Sequence, residues 1–378
     1  MGIDAVSATK DGRSALVDVL KGLACTAIVW HHLVSYGPMV DVARPLAPDA
    51  VRLLYDYGRF AVQVFLVVAG FMAAASLAPQ GMARFENGWT LVGRRYARLA
   101  LPYCVALTVA VLAASLARHG GDSESIAAPV SWWDVTVHLL MLQDVLGAPA
   151  LSAGVWYLAI DLQLYGMTVL ILWVARSIGA DASRDDARLL TAAGVALACG
   201  VSLLWANRHP AWDITAIYFY GSYGFGLLTY WAVYASTPRS RKVLVFAISS
   251  LGIAALALEF RERVALALAV ALLLLLAARS ALMHKLLNSS LLTPLRYLGR
   301  ISYSIFLIHY PVLMVFNAFM ARWWPQGPGA NAIAMLAAFA CSVAFADQMY
   351  RHIERLPLSR MRFVMLVAPL LMVTAMAS

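Results

Sequence analysis

The sequence predicts an all-α protein, a polytopic transmembrane helix bundle with 10–11 spans and its N-terminus in the cytoplasm. Of the 378 residues, 62% are hydrophobic and 13% are charged, whereas soluble domains have about 45–50% apolar and about 25% charged residues. Apolar runs close to the roughly 20 residues that a spanning helix needs recur along the chain. The loops between these runs alternate between basic-rich and basic-poor, which is typical of membrane proteins with a fixed orientation.

Eleven apolar segments are candidate spans. They are 15–35, 58–78, 99–117, 154–175, 189–205, 214–235, 243–258, 264–281, 301–320, 330–350 and 363–377. The last of them is short and terminal. We therefore treat residues 1–360 as one membrane domain and residues 361–378 as a candidate additional C-terminal transmembrane helix.

The distribution of basic residues predicts the orientation. With the N-terminus inside, 20 of the 29 Lys and Arg residues lie in inside loops and seven lie in outside loops, as the positive-inside rule requires. Basic loops that fix the orientation account for the net charge of +9, so we expect no nucleic-acid partner. The first fourteen residues lack the apolar region of a signal peptide, and we expect the first helix to remain as an anchor.

The longest outside connection, residues 118–153, is expected to cover a site on the outer face. Its segment 131–146 is too short and too polar to span the membrane. With Trp132 and Trp133 at one end, it predicts an amphipathic helix lying at the interface. The four cysteines lie in apolar runs without metal or disulfide spacing, so we interpret them as core residues and expect no metal site.

The first span carries an ionisable pair in register. Lys21 and His32 are eleven residues apart, which is 20° beyond three helical turns and about 16 Å along the axis. One helix face therefore bears a lysine near the inner side and an imidazole nearer the outer side, as expected of a polar passage. His31 points about 100° away. The alternative is a snorkelling lysine and an interfacial histidine.

Two further spans contain polar groups that are costly in a membrane. Asp161 lies about eight residues from the outer end of its span, and a partner such as Lys21, His32 or Arg59 is expected for it. His309 lies inside the ninth span. Structural readings remain open for both residues, an ion pair for Asp161 and a hydrogen-bonded core histidine for His309.

Three arginines crowd the inner mouth of the third span. Arg94, Arg95 and Arg98 fit the positive-inside bias, but guanidinium groups also suit phosphate oxygens. Around Gly70, the small residues of FLVVAGFMAAA indicate close helix packing.

These residues lie in motifs that follow one another along nearly the whole chain. In type and order the motifs resemble those of the acyltransferase-3 family of membrane O-acyltransferases. The matching elements are Lys21–x10–His32; the run VFLVVAGFMAA, with Ala69 where serine is common; Arg95, Arg98 and Pro102; Trp156, Leu158 and Asp161, with Asp in place of Glu; LGRISYSIFLIHYPV with His309; and, in YRHIERLP, the closing Glu-basic-Pro element at Glu354, with a leucine before Pro357. An eleventh span exceeds the usual ten, and no function is carried onto it.

The resemblance implies an integral membrane O-acyltransferase of a bacterial inner membrane. It implies no bound cofactor, an acyl-CoA donor that is most commonly acetyl-CoA, and a hydroxyl acceptor on a cell-surface glycan or related molecule. It also implies roles for the residues above: Arg95 and Arg98 would hold donor phosphates, and Lys21 would steady the donor's charge. His32 would act as general base or carry the acyl group, oriented or charge-balanced by Asp161 and His309. Some members add a soluble esterase-like domain; we expect this chain to deliver the acyl group itself or to pass it to a separate periplasmic transferase.

Two other function classes compete with this interpretation. A transporter or flippase for a polyanionic or lipid-linked glycan also needs intramembrane charges. It would show paired Gly or Pro interruptions in two similar halves, which this sequence lacks. A non-catalytic scaffold would not need Lys21, Asp161 and His309 inside the membrane.

Overall fold

The computed structural model describes residues 15–119, 130–278, 280–357 and 359–377. Within these ranges the chain is helical and contains no strand, which confirms the all-α prediction. The α-helices are α1 (Ala15–Ser35), α2 (Pro38–Ala43), α3 (Pro48–Tyr57), α4 (Val62–Leu77), α5 (Gly88–His119), α6 (Trp132–Leu139), α7 (Trp156–Ile178), α8 (Arg184–Leu204), α9 (Ala216–Val233), α10 (Pro238–Leu258), α11 (Glu262–Ala277), α12 (Ala281–Leu287), α13 (Thr293–Arg300), α14 (Ser302–Trp323), α15 (Pro328–Met349) and α16 (Arg360–Ala377).

The chain is a multi-pass membrane protein. In the part of the chain that the structure describes, eight helical segments are long and apolar enough to cross a membrane, or nine if α11 and α12, bent by 97°, form one span. The buried helix α9 is not among them because Ser, Gly and Tyr lower its hydropathy. The apolar part of α16, Val364–Met376, is too short. The predicted count of 10–11 thus exceeds the number that length and composition alone support.

The connection that was predicted to lie outside, residues 118–153, differs in part from its prediction. Its residues 120–129, like the first fourteen residues, lie outside the described ranges. Helix α6 covers only half of the predicted 131–146. Ser131 and Asp134 form a capping box at its start, and its end is closed by two backbone bonds, Met141 N–H to His138 O and Leu142 N–H to Val137 O. This is a Schellman ending, with Met141 in the left-handed region at φ 56°.

The chain forms two compact units. The first comprises the described parts of Met1–Lys21, Val62–Arg94 and Ile160–Arg296. Its centre is the crossing of α4 and α9, where a Cβ on Gly70 would lie 1.8 Å from Tyr223 O and one on Gly226 would lie 1.9 Å from Val67 O. Only glycine permits this approach of two backbones, so the predicted packing role of the Gly70 segment is confirmed.

The second unit comprises the described parts of Gly22–Ala61, Arg95–Ala159 and Tyr297–Ser378. Two tyrosine hydroxyls on facing helices bind its segments together. Tyr303 of α14 donates to Leu99 O of α5 at 2.8 Å, and Tyr96 of α5 donates to Leu139 O at the end of α6 at 2.7 Å. These bonds place the start of α14 and the end of α6 beside the same turns of α5.

Candidate active site

Helices α1 and α14 pack side by side in the second unit and run in the same direction. The Cys25 thiol donates to Ser302 O at 3.8 Å, and seven residues further along both helices the rings of His32 and His309 meet. Seven residues are 700°, or 20° short of two turns, so both contacts lie on one face of each helix. The sequence offset of 277 is the same at both contacts, so the two helices keep one register over this distance.

The histidine pair has a defined pattern of protons. His309 Nδ1 lies 3.1 Å from Ile305 O, and because a carbonyl only accepts, this nitrogen carries the proton. In the neutral ring His309 Nε2 is then an acceptor, and it lies 2.6 Å from His32 Nδ1. His32 therefore donates from Nδ1, which leaves His32 Nε2 without a proton and able to accept one.

The pair is buried and is covered at one side by the segment that leads into α7. His32 is 8% exposed and His309 is 2% exposed. A Cβ on Gly154 would lie 3.6 Å from His32 Cε1 and 3.0 Å from the Phe306 ring, and Gly154 has φ +85°. The Phe306 ring in turn lies 6.1 Å from that of His309 and 5.6 Å from that of Tyr157. A glycine at 154 thus permits the chain to pass close to the catalytic candidate.

Asn317 fixes the turn that leaves α1 just beyond His32. Its Nδ2 donates to Tyr36 O and its Oδ1 accepts from Met39 N–H, each at 3.1 Å. Gly37, at φ +88°, leaves room for the Asn317 amide, since a Cβ there would overlap it at 2.1 Å. Helix α14 therefore holds α1 at two levels, by His309 and by Asn317.

His31 has a separate, structural contact. Its Nδ1 lies 3.1 Å from Leu54 O at the end of α3, and a Cβ on Gly58 would lie 2.7 Å from His31 Cβ. His31 thus anchors the segment that follows α1, as its predicted orientation away from His32 allows.

A pocket of about 220 Å³ lies where α5 meets the end of α15. Its lining residues are Arg98, Leu101, Pro102, Ile353, Glu354, Arg355, Leu356 and Pro357. Glu354 ends a π-helical segment, Tyr350–Glu354, and its Oε2 accepts from Ser304 Oγ of α14 at 2.7 Å. Arg95, one turn before Arg98, is not among the lining residues.

The structure assembles part of the predicted site. It brings His32 to His309 and places Arg98 in the pocket. Lys21 and Asp161 belong to the first unit, where Lys21 is half-buried and Asp161 is 4% exposed. Lys21 shares α1 with His32, as predicted. Sequence reasoning missed Asn317 and the Ser304–Glu354 bond, for which the spacing along the chain gives no signal.

Comparison with known proteins identifies the family. The profile of the acyltransferase-3 family, described as an acyltransferase domain, matches residues 15–347. The chain belongs to this family. The predicted resemblance is confirmed, and the motifs of His32, Arg98 and His309 all lie within the matched range.

Two curated proteins are similar to this acyltransferase-3 member. A putative peptidoglycan O-acetyltransferase of Bacillus subtilis is 27% identical over 325 residues, which cover 75% of this chain and 49% of that protein. A protein named regulator of hypoxia-inducible factor 1 from Caenorhabditis elegans is 27% identical over 177 residues, covering 42% of this chain and 35% of that protein. The chain thus spans about half or less of these relatives. No solved structure matches it significantly.

Proposed function

We propose that this protein is a membrane O-acyltransferase that moves an acyl group, acetyl in the first instance, from acyl-CoA to a hydroxyl of a cell-surface glycan. The observation that carries the proposal is the 2.6 Å contact between His32 Nδ1 and His309 Nε2, since a proton on His32 Nδ1 leaves the Nε2 of the neutral ring as an acceptor. The name of the Bacillus subtilis relative makes peptidoglycan the first acceptor to test.

The proposed reaction uses His32 as a general base. Nε2 takes the proton of the acceptor hydroxyl as its oxygen attacks the thioester carbonyl carbon. The C–S bond then breaks, and the leaving thiolate takes the proton from His32 to give the free thiol. The positive charge that develops on His32 is shared through the hydrogen bond to His309. A route in which His32 briefly carries the acyl group would use the same nitrogen.

The remaining predicted residues serve the donor and the orientation of the pair in this proposal. Arg98 and Arg95 bind donor phosphates, Lys21 steadies the donor's charge, and Asp161 balances the charge of His32. Arg98→Ala is then expected to raise the KM for acyl-CoA more than it lowers kcat. A change confined to kcat would argue against phosphate binding by Arg98.

We also propose a bacterial inner-membrane location with 10–11 spans, a cytoplasmic N-terminus and donor entry from the cytoplasm. The 20-to-7 distribution of basic residues supports this orientation. The parallel course of α1 and α14 agrees with it, because these helices are the first and ninth predicted spans. We further propose that, with this topology, the acyl group can be passed to a separate periplasmic transferase.

The test compares variants of two neighbouring histidines in vesicles supplied with labelled acetyl-CoA and peptidoglycan fragments. His32→Ala is expected to lower turnover by about 10²–10⁴-fold, the usual contribution of a general base. His31→Asn is the matched control, because an asparagine amide can still donate to Leu54 O. Turnover by His32→Ala at the level of the wild type would refute the assignment. Transport of acceptor without thioester cleavage would favour a flippase.

A further inference from the structure

The pocket at the end of α15 contains a second arginine, the basic residue of the closing Glu-basic-Pro motif, for which the sequence predicted no role. Arg355 lines the pocket together with Arg98. Its backbone N–H donates to Tyr350 O at 2.9 Å, five residues back, and so closes the π-helical turn. Single π turns inside α-helices often occur at functional sites. Here the π turn determines the direction in which the backbone presents the side chain of Arg355.

Two hydrogen bonds fix this turn against neighbouring helices. Ser304 Oγ of α14 donates to Glu354 Oε2 at 2.7 Å, directly before Arg355. Two turns before Glu354, the Asp347 carboxylate of α15 accepts from Tyr297 Oη of α13. The π turn is therefore held from α13 and α14, and these bonds position the backbone of Arg355 at the pocket, into which its exposed side chain reaches.

The two pocket arginines differ from Arg351 in their electrostatic state. Arg351 is paired with Asp347. Among the described residues neither Arg98 nor Arg355 has a carboxylate within ion-pair distance. The carboxylate of Glu354 is bonded to Ser304, and the other lining residues are apolar or proline. Two guanidinium groups without ion-pair partners in one pocket form a site for an anion with several oxygen atoms.

The size of the pocket suits one end of a ligand rather than the whole. Its volume of about 220 Å³ lies below the roughly 300–1,000 Å³ of pockets that enclose a drug-sized molecule. A phosphate or diphosphate group fits this space, with the remainder of the ligand outside it. Pro102 on the pocket wall lies inside α5 and lacks an N–H, so the carbonyl of Arg98, four residues earlier, does not receive the usual helical hydrogen bond.

We propose that Arg355 is a phosphate-binding residue for the acyl donor, acting together with Arg98 in the same pocket, with its backbone positioned by the Ser304–Glu354 bond. This inference rests on the proposed function and adds a residue to its donor site. Ser304, which bonds to Glu354 at the pocket, and His309 are five residues apart on α14, about 7.5 Å along the helix axis and about 140° around it. A flexible thioester arm that leaves a phosphate group in the pocket can extend in that direction.

The experiment measures equilibrium binding of CoA to the purified protein in lipid nanodiscs at low ionic strength. Arg355→Met is expected to weaken CoA binding by about 10- to 100-fold, as for loss of charge-assisted hydrogen bonds. Arg351→Met removes the same charge one turn away and is expected to leave CoA binding within about twofold. Arg355→Lys keeps the charge without the planar fork, and its affinity should fall between those of the wild type and Arg355→Met.

A donor without phosphates provides the second measurement. The wild type and Arg355→Met should consume acetyl-pantetheine at the same rate, which would also show that the variant is folded. Equal CoA binding by the wild type and Arg355→Met would overturn the inference and leave the proposed function intact. An equal loss in Arg351→Met would also overturn it, since the effect would then be general charge. Absence of CoA binding by the wild type would overturn the proposed donor, and this inference with it.

Discussion

His309 accepts a hydrogen bond from His32 across 2.6 Å while donating its own Nδ1 proton to Ile305 O, four residues earlier on α14. The backbone carbonyl thereby selects the tautomer of His309, and His309 selects that of His32. The same kind of chain, in which a hydrogen bond to one ring nitrogen sets the state of the other, is used in many catalytic sites. It makes His309 a positioning residue in the proposed reaction.

Replacement of His309 tests this role. His309→Ala leaves the buried Nδ1–H of His32 without its acceptor, and a loss of about 1–3 kcal/mol, or roughly 5- to 150-fold in kcat, is expected. His309→Gln offers Oε1 as an acceptor near the same position, so it should recover part of kcat. CoA binding should be unchanged in both variants. If the glutamine variant is no better than alanine, orientation by this hydrogen bond is not the role of His309.

Asn317 provides a test of how precisely α1 must be held. Asn317→Ala breaks two buried hydrogen bonds to the turn after His32, and kcat per folded molecule should fall while CoA affinity stays constant. Asn331→Ala is the matched control, because Asn331 is also buried and bonds to two backbone carbonyls, those of Trp324 and Gly327. Both variants are expected to lose about 1–3 kcal/mol of unfolding free energy. Equal kcat values would show that the turn is only structural.

Alanine substitutions at Gly154 and Gly147 separate the effect of backbone strain from the effect of crowding at the site. Both have positive φ, +85° and +67°, so alanine at either position should lower the free energy of unfolding by about 1–2 kcal/mol. At Gly147 a Cβ would meet nothing within 4 Å, whereas at Gly154 it would press on Phe306 near His32. Gly154→Ala should therefore lower kcat and Gly147→Ala should not, as measured with saturating donor. Similar kcat values would mean that the approach to His32 tolerates a methyl group.

The environment of His138 predicts a pH effect on the connection between α5 and α7. It is fully buried; its Nδ1 donates to Asp134 O at 2.7 Å, and its Nε2 accepts from Leu151 N–H at 3.2 Å. Burial lowers the pKa of His138 from its ordinary 6.5, against the opposing effects of the Asp134 carbonyl and carboxylate. The folded protein thus favours the neutral ring. The contribution of His138 to the free energy of unfolding is fully present above pH 6.5, the ordinary pKa, and is lost as the pH falls through the lower pKa of the folded protein.

Hydrogen exchange at Leu151 measures this directly. The protection factor of the Leu151 amide should decrease as the pH is lowered below 6.5, and His138→Ala should abolish this dependence. The amide of Trp324, which bonds to Met320 O in the α14 helix end and has no histidine partner, serves as the internal reference. A protection factor for Leu151 that does not vary with pH would contradict the assignment.

The sequence alone was sufficient for the features that repeat along one helix. Apolar runs and loop charges predicted an all-α membrane protein, and most helix positions lie within a few residues of the segments predicted. The pair Lys21 and His32 lies on one face because both belong to α1, and helical periodicity requires it. The end of α6 was not predicted, since its Schellman ending uses Met141 in a backbone conformation that is more common for glycine.

What only the tertiary structure decided are the contacts between distant segments. The sequence offered Asp161 and His309 as partners for His32, and the packing of α14 against α1 brings His309, 277 residues away, to 2.6 Å from His32. Tertiary packing likewise brings Ser304 to hydrogen-bond with Glu354 and Asn317 to hydrogen-bond with the backbone of Tyr36. Hydrophobic periodicity determines which face of a helix is buried, but it leaves open which neighbour lies against that face and at what register. Those choices depend on the packing of all the helices, and they determine which nitrogen of His32 is left to accept a proton.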